Sequence, residues 1–144
     1  MSTSIKLASL CGAVLMASVA MASPQKTPEQ LAKDLVAVQT ASGEPVAQFS
    51  KVSLGTTKWE PIDNTHLLVY TRQATAYLLD LDAHCEGLIN AQGVSVGGLS
   101  RTVYSGTDTV HVSGPSNPGG ISCRIVEIRP VDTAKLKSLR TESQ

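Results

Sequence analysis

This sequence of 144 residues has few aromatic residues and no excess of positive or negative charge. Only 3% of the residues are aromatic, and 12 lysines and arginines stand against 12 aspartates and glutamates. No basic stripe is present, which makes nucleic acid and anionic membranes poor candidate partners. The few aromatic side chains also argue against a stacking platform for bases or sugars. They are Phe49, Trp59, Tyr70, Tyr77 and Tyr104.

Catalytic motifs are lacking as well. There is no G-x-S-x-G nucleophile elbow, and no two histidines have the H-x-x-x-H or H-x-H spacing typical of metal sites. The glycine-rich segment 93–98 resembles a phosphate-binding loop, but it lacks the lysine and the helical pattern that should follow. We therefore expect a protein that is not an enzyme and has no cofactor. A histidine facing an acid inside a cleft would change this interpretation.

Cysteine is scarce too, with three residues in the whole chain. Cys11 lies in an N-terminal segment that we expect to be removed, which leaves Cys85 and Cys123. The long stretch between these two cysteines excludes a C-x-x-C redox pair, so a structural disulfide is the better interpretation. In the chain-entropy picture, closing a loop of this length stabilises a fold by about 4 kcal/mol.

What is present begins with an export signal at residues 1–22. A single lysine precedes an apolar run, and the run ends in Ala-Met-Ala, the small-x-small pattern of a signal peptidase site. We expect cleavage between Ala22 and Ser23, with residues 18–20 as a less favoured site. The run is shorter than the roughly 20 residues of a spanning helix. We therefore expect a periplasmic or secreted protein with no stable membrane span after cleavage.

The rest of the chain is organised around two apolar runs at residues 66–71 and 76–81. Leu67 and Val69 share one face of the first run, and the second run alternates in the same way. A side-chain period of two with aromatic and branched residues favours a β-hairpin, with its turn at residues 72–75. We expect Cys85 to fasten the end of this hairpin to a later strand.

Helices are predicted near both ends of the mature chain. Thr27, Pro28 and Gln30 form a capping-box start for the first helix, which should cover one face of a sheet. Asp132 can cap a second, short helix at residues 133–140.

Further short alternating runs predict a mainly β fold between these helices. We expect a small antiparallel β-barrel or sandwich of five to seven strands, with the N-terminal helix and the short C-terminal helix attached. The expected division is a signal peptide at 1–22, a helix and linker at 23–44, and a single β domain at 45–144.

The last strand is predicted at residues 121–128, after a loop at residues 113–120 that holds two prolines and three glycines. Apolar side chains of this strand fall on both faces, with Ile125 on one and Ile128 on the other. Both faces of the strand should therefore be partly covered.

One group of residues has possible chemistry. Asp80, Asp82, His84 and Glu86 occupy every second position, which in an extended chain puts them on one side. Carboxylates beside an imidazole could bind zinc, manganese or calcium. The competing interpretation is a solvated strand edge running into a turn, where strand twist spreads the four apart. The histidines outside this group, His66 and His111, are interpreted as outward-facing.

A longer pattern joins several of these positions over roughly residues 58–139. It comprises Trp59, then Tyr77-Leu78-Leu79 with Leu81-Asp82, then Cys85-x-x-Leu88, and closes with Cys123-x-Ile125-x-x-Ile128-x-Pro130-Val131-Asp132. In this pattern the chain resembles a family of small exported bacterial proteins that is classed only as a domain of unknown function. No activity is assigned to that family, so the resemblance implies no functional residue. It implies an envelope protein that has a disulfide.

These observations favour a non-enzymatic binding or structural protein of the bacterial cell envelope. Its partner would be another envelope protein or a small ligand, and its working part a concave surface or an edge strand. The alternative hypothesis is a metal-binding protein that uses Asp80, Asp82, His84 and Glu86.

Overall fold

The computed structural model of the chain describes residues 25–51, 58–72 and 75–144, without the side chain of Arg72. The predicted signal peptide and its cleavage site between Ala22 and Ser23 lie outside the described residues. The described part contains two α-helices, α1 (Pro28–Thr40) and α2 (Thr133–Glu142). Its strands are β1 (Gln48–Ser50), β2 (Lys58–Pro61), β3 (His66–Arg72), β4 (Thr75–Leu81), β5 (Gly93–Val96), β6 (Thr102–Tyr104), β7 (Thr109–Gly114) and β8 (Asn117–Asp132).

The strands form one large antiparallel sheet and one small one. The large sheet has the order β2-β3-β4-β8-β7-β5 and curls into a nearly closed barrel. β1 and β6 pair with each other as a separate ribbon. The prediction of a mainly β fold with a helix near each end is confirmed. The strands number eight within the described residues, rather than five to seven, because the short ribbon adds two.

β8 is the long strand on which the barrel is built. Its first half pairs with β7, and its second half pairs with β4. The opposite edge of the second half is also occupied, since Ile128 and Pro130 accept backbone N–H groups from Val46 and Gly43, both at 2.8 Å. Both edges of this half of β8 therefore take part in backbone hydrogen bonds.

The interior of the barrel is filled with apolar side chains. Leu67 and Val69 of β3 point into it, as their alternation predicted, together with buried residues of β4, β7 and β8. The Phe49 ring of β1 stacks on Tyr77 with 4.7 Å between centroids, which brings the ribbon onto the barrel. Trp59 packs against this interior from the edge strand β2 and is partly buried. We call this set the barrel core.

A second core lies on the outside of β2, β3, β4 and the end of β8. Val38 of α1 and Leu136 of α2 pack there against Leu68 and Leu78 of the sheet. The helix α1 begins with the predicted capping box, in which the Thr27 side chain and the Gln30 side chain each accept a backbone N–H from the other residue. The prediction that the first helix covers one sheet face is confirmed, and the capping of α2 by Asp132 is as expected. We call this region the helix layer.

Two predictions about the last strand are wrong. The segment at residues 113–120 is not a long loop, because β7 continues to Gly114 and β8 begins at Asn117, which leaves a two-residue turn. Ile125 and Ile128 do not point to opposite faces, and both lie in the barrel core. The reason is a bulge: Leu81 pairs with Ile125 but Asp80 pairs with Glu127, so one residue of β8 is skipped and its alternation is reset.

Candidate functional site

The four residues of the predicted metal site are not brought together. β4 ends at Leu81, and the chain then leaves the extended conformation, so alternate residues no longer share a side. Within residues 25–51, 58–72 and 75–144, no group of three or more histidine, cysteine, aspartate or glutamate residues could hold a metal ion. The structure therefore does not favour metal binding here. The neighbours are Asp80 with His66 (3.1 Å), Asp82 with Arg124 (3.9 Å) and His84 with Asn64 (3.1 Å), while Glu86 is exposed.

A feature missed by the sequence analysis is a histidine held between two carboxylates. Nδ1 of His66 lies 2.9 Å from both carboxylate oxygens of Asp63, and Nε2 lies 3.1 Å from Oδ1 of Asp80. Asp63 belongs to the turn before β3, and Asp80 is the cross-strand partner of His66 on β4. We call these three residues the histidine clamp, because it ties the turn to the sheet.

The carboxylates hold the imidazole in its protonated form. The contact with Asp80, followed by the hydrogen bond and charge of Asp63, raises the pKa of His66 to about 9 against the opposing effect of burial. Burial would raise the pKa of Asp63, but hydrogen bonds from the Thr65 backbone and from His66 bring that pKa below its usual value. Oδ1 of Asp80 is buried and has no well-aligned hydrogen bond, so charge is what attracts it to the imidazolium.

The histidine clamp has the chemistry of a structural element. A histidine that stays protonated at neutral pH is unsuited to act as a general base. His66 does face acids, the arrangement that would have indicated an enzyme, but its elevated pKa favours a positioning role. His66 lies on the outward face of β3, opposite Leu67 and Val69, as expected, but only 17% of its side chain is exposed because the two carboxylates cover it. His111 is exposed, as expected.

The predicted disulfide between Cys85 and Cys123 is present beside the histidine clamp. Both cysteines are buried in the barrel core, and the bond joins the segment after β4 to β8. Asn64 connects the two features: its backbone oxygen accepts the N–H of Cys85 at 2.7 Å, and its side-chain oxygen accepts the N–H of Ile89 at 3.2 Å. This end of the barrel is therefore closed by a covalent bond and by an adjoining charged cluster.

A second charged cluster lies between the helix layer and the sheet. Arg140 of α2 donates to Asp34 of α1 at 2.8 Å. It also makes a bidentate pair of hydrogen bonds to the carboxylate of Glu60 in β2, at 3.0 and 3.3 Å. Lys26 completes the cycle, with its Nζ 2.8 Å from Asp34 and 3.5 Å from Glu60. Positive and negative groups alternate around this four-residue set, which we call the ionic ring. It joins both helices to the edge of the sheet.

The electrostatics of the ionic ring reflect partial burial. Burial would lower the pKa of Arg140, but the charges of Glu60 and Asp34 raise it further above its usual value. Tyr70 lies beside the ring, and burial together with the charge of Glu60 raises the pKa of its phenol. Asp34 is the most covered member, with 9% of its side chain exposed. The two carboxylates therefore hold the Arg140 guanidinium in its charged form.

The ionic ring borders a depression on the surface of α1 and α2. A charged part of about 390 Å³ is lined by ring members together with Gln30 and Lys33. A neighbouring apolar part of about 380 Å³ is lined by Ala32, Val36 and Leu139, among others. The two parts share Lys33, and we call them together the helix groove. Val36 is 62% exposed there, which is high for a valine.

Some of these features could have been predicted from the sequence, and others could not. The D-N-T-H segment could have revealed half of the histidine clamp, because an aspartate opening a turn accepts N–H groups two and three residues later. The contact with Asp80 depends on strand register, which an irregularity between Tyr70 and Arg72 shifts. The ionic ring has no local signal, since its members are far apart in the chain.

Comparisons with known proteins give a family and no more. Within the described ranges, no helix is long and apolar enough to cross a membrane. No curated protein matches the chain, and no solved structure matches it. The model of a Family of unknown function (DUF6491) matches residues 1–144, so the chain belongs to that family.

Proposed function

We propose that this chain is a non-enzymatic binding protein of the bacterial cell envelope, exported to the periplasm or beyond, with the helix groove as its binding surface. Its partner is another envelope component, either a protein or a small ligand. The observation that carries the proposal is the composite groove, apolar around Val36 and charged around the ionic ring. Binding sites commonly have this mixture of apolar lining and a few fixed polar groups.

Export is supported by the disulfide and by the N-terminal sequence. A buried Cys85–Cys123 bond is compatible with an oxidising compartment, where such bonds persist. The apolar run and the Ala-Met-Ala pattern at residues 20–22 supply the expected export signal. Mass measurement of the protein recovered from the envelope fraction tests this part. A first residue of Ser23 supports export by signal cleavage, and a retained Met1 in cytoplasmic material argues against it.

A non-enzymatic role is supported by how the reactive groups are used. The described cysteines are joined to each other, and His66 is held as an imidazolium between two carboxylates. The Arg140 guanidinium is engaged by two carboxylates in the ionic ring. Groups committed in this way position the backbone well but make poor nucleophiles and general bases.

The size of the helix groove suits a ligand or a short segment of a partner protein. Each part of the groove has a volume within the range of roughly 300–1,000 Å³ that is common for ligand sites. Lys33, at the junction of the two parts, can meet a negative group of the partner while Val36 and Leu139 meet an apolar one. Specificity would then come from the spacing between these two features.

A photo-crosslinking amino acid placed at Val36 tests the proposed surface. In cells that export the protein, we expect a discrete adduct from this position. We expect none from the same amino acid at Ser138, an exposed position of α2 outside the residues that line the groove. The proposal fails if Val36 gives no adduct while the protein is folded and exported. Equal adducts from both positions would indicate non-specific contact and would also count against it.

A further inference from the structure

Leu99 is the most exposed large apolar side chain among the described residues, at 94%. It lies at the tip of a loop formed by residues 97–101, between β5 and β6. A single exposed leucine is ordinary on a protein surface. What distinguishes this one is the way its loop is held and the charge around it.

A lysine from a distant part of the chain fixes the Leu99 loop. Nζ of Lys51 donates to the carbonyl oxygens of Val96 at 3.0 Å and Gly98 at 2.8 Å, and the backbone N–H of Lys51 donates to Arg101 at 2.7 Å. The loop is therefore anchored on both sides of Leu99. An apolar tip on an anchored backbone loses little conformational freedom when it inserts into another phase.

The chain segments that form the loop and the strands β5, β6 and β1 contain no acidic residue. No aspartate or glutamate occurs between Glu86 and Asp108, a stretch that includes the whole loop and β6. None occurs between Glu44 and Glu60, the stretch that supplies β1 and Lys51. The exposed cation Arg101 lies two residues after Leu99, and the ammonium of Lys51 lies beneath the loop. The balanced net charge of the chain thus conceals a basic segment without acidic residues. The next acid along the chain, Asp108, accepts the backbone N–H of Tyr104 at 2.7 Å, at the end of β6 away from the loop.

We propose that the loop of residues 97–101 makes a weak, reversible contact with an anionic lipid surface. Leu99 enters the interfacial region, while Arg101 faces the lipid phosphates and Lys51 adds positive charge from beneath the loop. Tyr104, on the strand that follows, is 46% exposed and is of a type enriched at membrane interfaces. A protruding tip suits a deformable lipid surface better than a protein partner, which would have to supply a matching pocket. The contact is peripheral and is independent of the helix groove.

The expected strength of this contact is modest. A basic residue close to an anionic surface strengthens binding by roughly fivefold. Removing the leucine side chain from the interface should weaken binding by a similar or somewhat larger factor, about five- to tenfold. One apolar tip with two cations therefore gives binding that is detectable only at high lipid concentration, as for a marginal single anchor.

Co-sedimentation with protein-free vesicles tests the proposal. The probes are vesicles containing phosphatidylglycerol and vesicles of phosphatidylcholine alone, mixed with the chain as it is recovered from its host. We expect binding to the first that exceeds binding to the second and that falls with added salt. Leu99→Ser and Arg101→Gln should each reduce the excess about fivefold or more. The parent and all variants have the same N-terminal residues. Any lipid binding by those residues is therefore the same in each protein and does not affect the difference between parent and variant.

Val126→Ser is the matched control, because Val126 is an apolar residue 51% exposed on β8 and lies outside the loop. It should leave the excess binding unchanged, and thermal midpoints should show that all three variants remain folded. Equal binding to both kinds of vesicle, or an excess that survives both loop substitutions, would overturn the proposal. So would the absence of any binding, which would point instead to an acidic protein surface as the partner of the loop.

Discussion

The barrel core and the helix layer lie on opposite faces of the same strands, yet they are held together by different means. The barrel core is closed by a covalent bond, with the histidine clamp beside it. The helix layer is joined to the sheet by apolar packing and by the ionic ring, all of whose contacts are reversible. A region held by reversible contacts can adjust when a partner binds. This difference is one reason to place the binding surface on the helices.

Removal of the covalent bond should have the largest effect on stability. The Cys85→Ala/Cys123→Ala double variant should lose about 4 kcal/mol of unfolding free energy, because the closed loop of the unfolded chain is released. Urea unfolding followed by far-UV circular dichroism measures the loss. The parent protein under reductant should shift by a similar amount.

The alanine substitutions also leave small gaps in the barrel core, so the reductant arm separates the covalent effect from packing. A double variant as stable as the parent would contradict the view that the bond is the principal closure of the barrel. Reductant should not change the unfolding of the double variant.

Removal of the Arg140 cation from the ionic ring should have the next largest effect on stability. Arg140→Met removes the cation that joins both helices to β2, and it leaves Asp34 and Glu60 close together with Lys26 as their remaining neighbour in the ring. We expect a loss of about 2–3 kcal/mol, less than for a fully buried ion pair because the ring is partly solvated. Urea unfolding at low and high salt measures it, and the parent should lose part of the difference at high salt.

An exposed ion pair on α1 provides the control for the ring. Lys33 lies 3.1 Å from Glu29, and both side chains are well exposed. Lys33→Gln should change the unfolding free energy by less than about 0.5 kcal/mol. If both substitutions have the same small effect, the ring contributes no more than an ordinary surface pair and the helix layer depends on apolar packing alone.

The histidine clamp should make the unfolding free energy depend on pH. The pKa of His66 is about 9 in the folded chain, against an ordinary value of 6.5. Because the folded pKa is raised, the stabilisation is fully present below pH 6.5 and is lost as pH rises towards 9. We expect the parent to lose about 2 kcal/mol across this interval, somewhat less than the full shift implies because the Asp80 contact is poorly aligned.

His66→Gln should be less stable than the parent at pH 6 and should lack this loss between pH 6.5 and 9. His111→Gln, at an exposed position of β7, should retain it. Urea midpoints collected at several pH values measure both. A parent protein whose stability stays flat over this interval would show that His66 is not held as an imidazolium.

The parts of the structure that could be predicted from the sequence are those set by local spacing or by composition. Elements that depend on local spacing were predictable: the capping box of α1, the alternation of Leu67 and Val69, and the cap of α2 by Asp132. The disulfide was predictable because two cysteines remained and the compartment was inferred from residues 1–22. These are properties of short segments or of composition.

Features that depend on register were not predictable. The bulge at β8 moves Ile128 to the face of Ile125, and one skipped residue reverses every later assignment along the strand. The metal hypothesis is not favoured for a related reason, since it assumed that β4 continued past Leu81. The helix groove needs the packing of α1 on α2, which no short segment encodes.

The smallest effect concerns a glycine of β8 that was predicted to lie in a loop. Gly120 has a φ of 75°, and a Cβ there would lie 2.3 Å from Nε2 of His111, which lies against the glycine. Gly120→Ala should therefore cost about 1–2 kcal/mol of unfolding free energy, from backbone strain and from displacement of the exposed imidazole.

Gly119→Ala is the neighbouring control, because a Cβ at Gly119 would meet nothing within 4 Å. Urea unfolding should place Gly119→Ala within about 0.5 kcal/mol of the parent. Adding His111→Ala to Gly120→Ala should recover the part of the loss due to the clash and leave the part due to φ. A loss at Gly119 equal to that at Gly120 would show that the strand tolerates no side chain on either residue, and the explanation from the imidazole would be wrong.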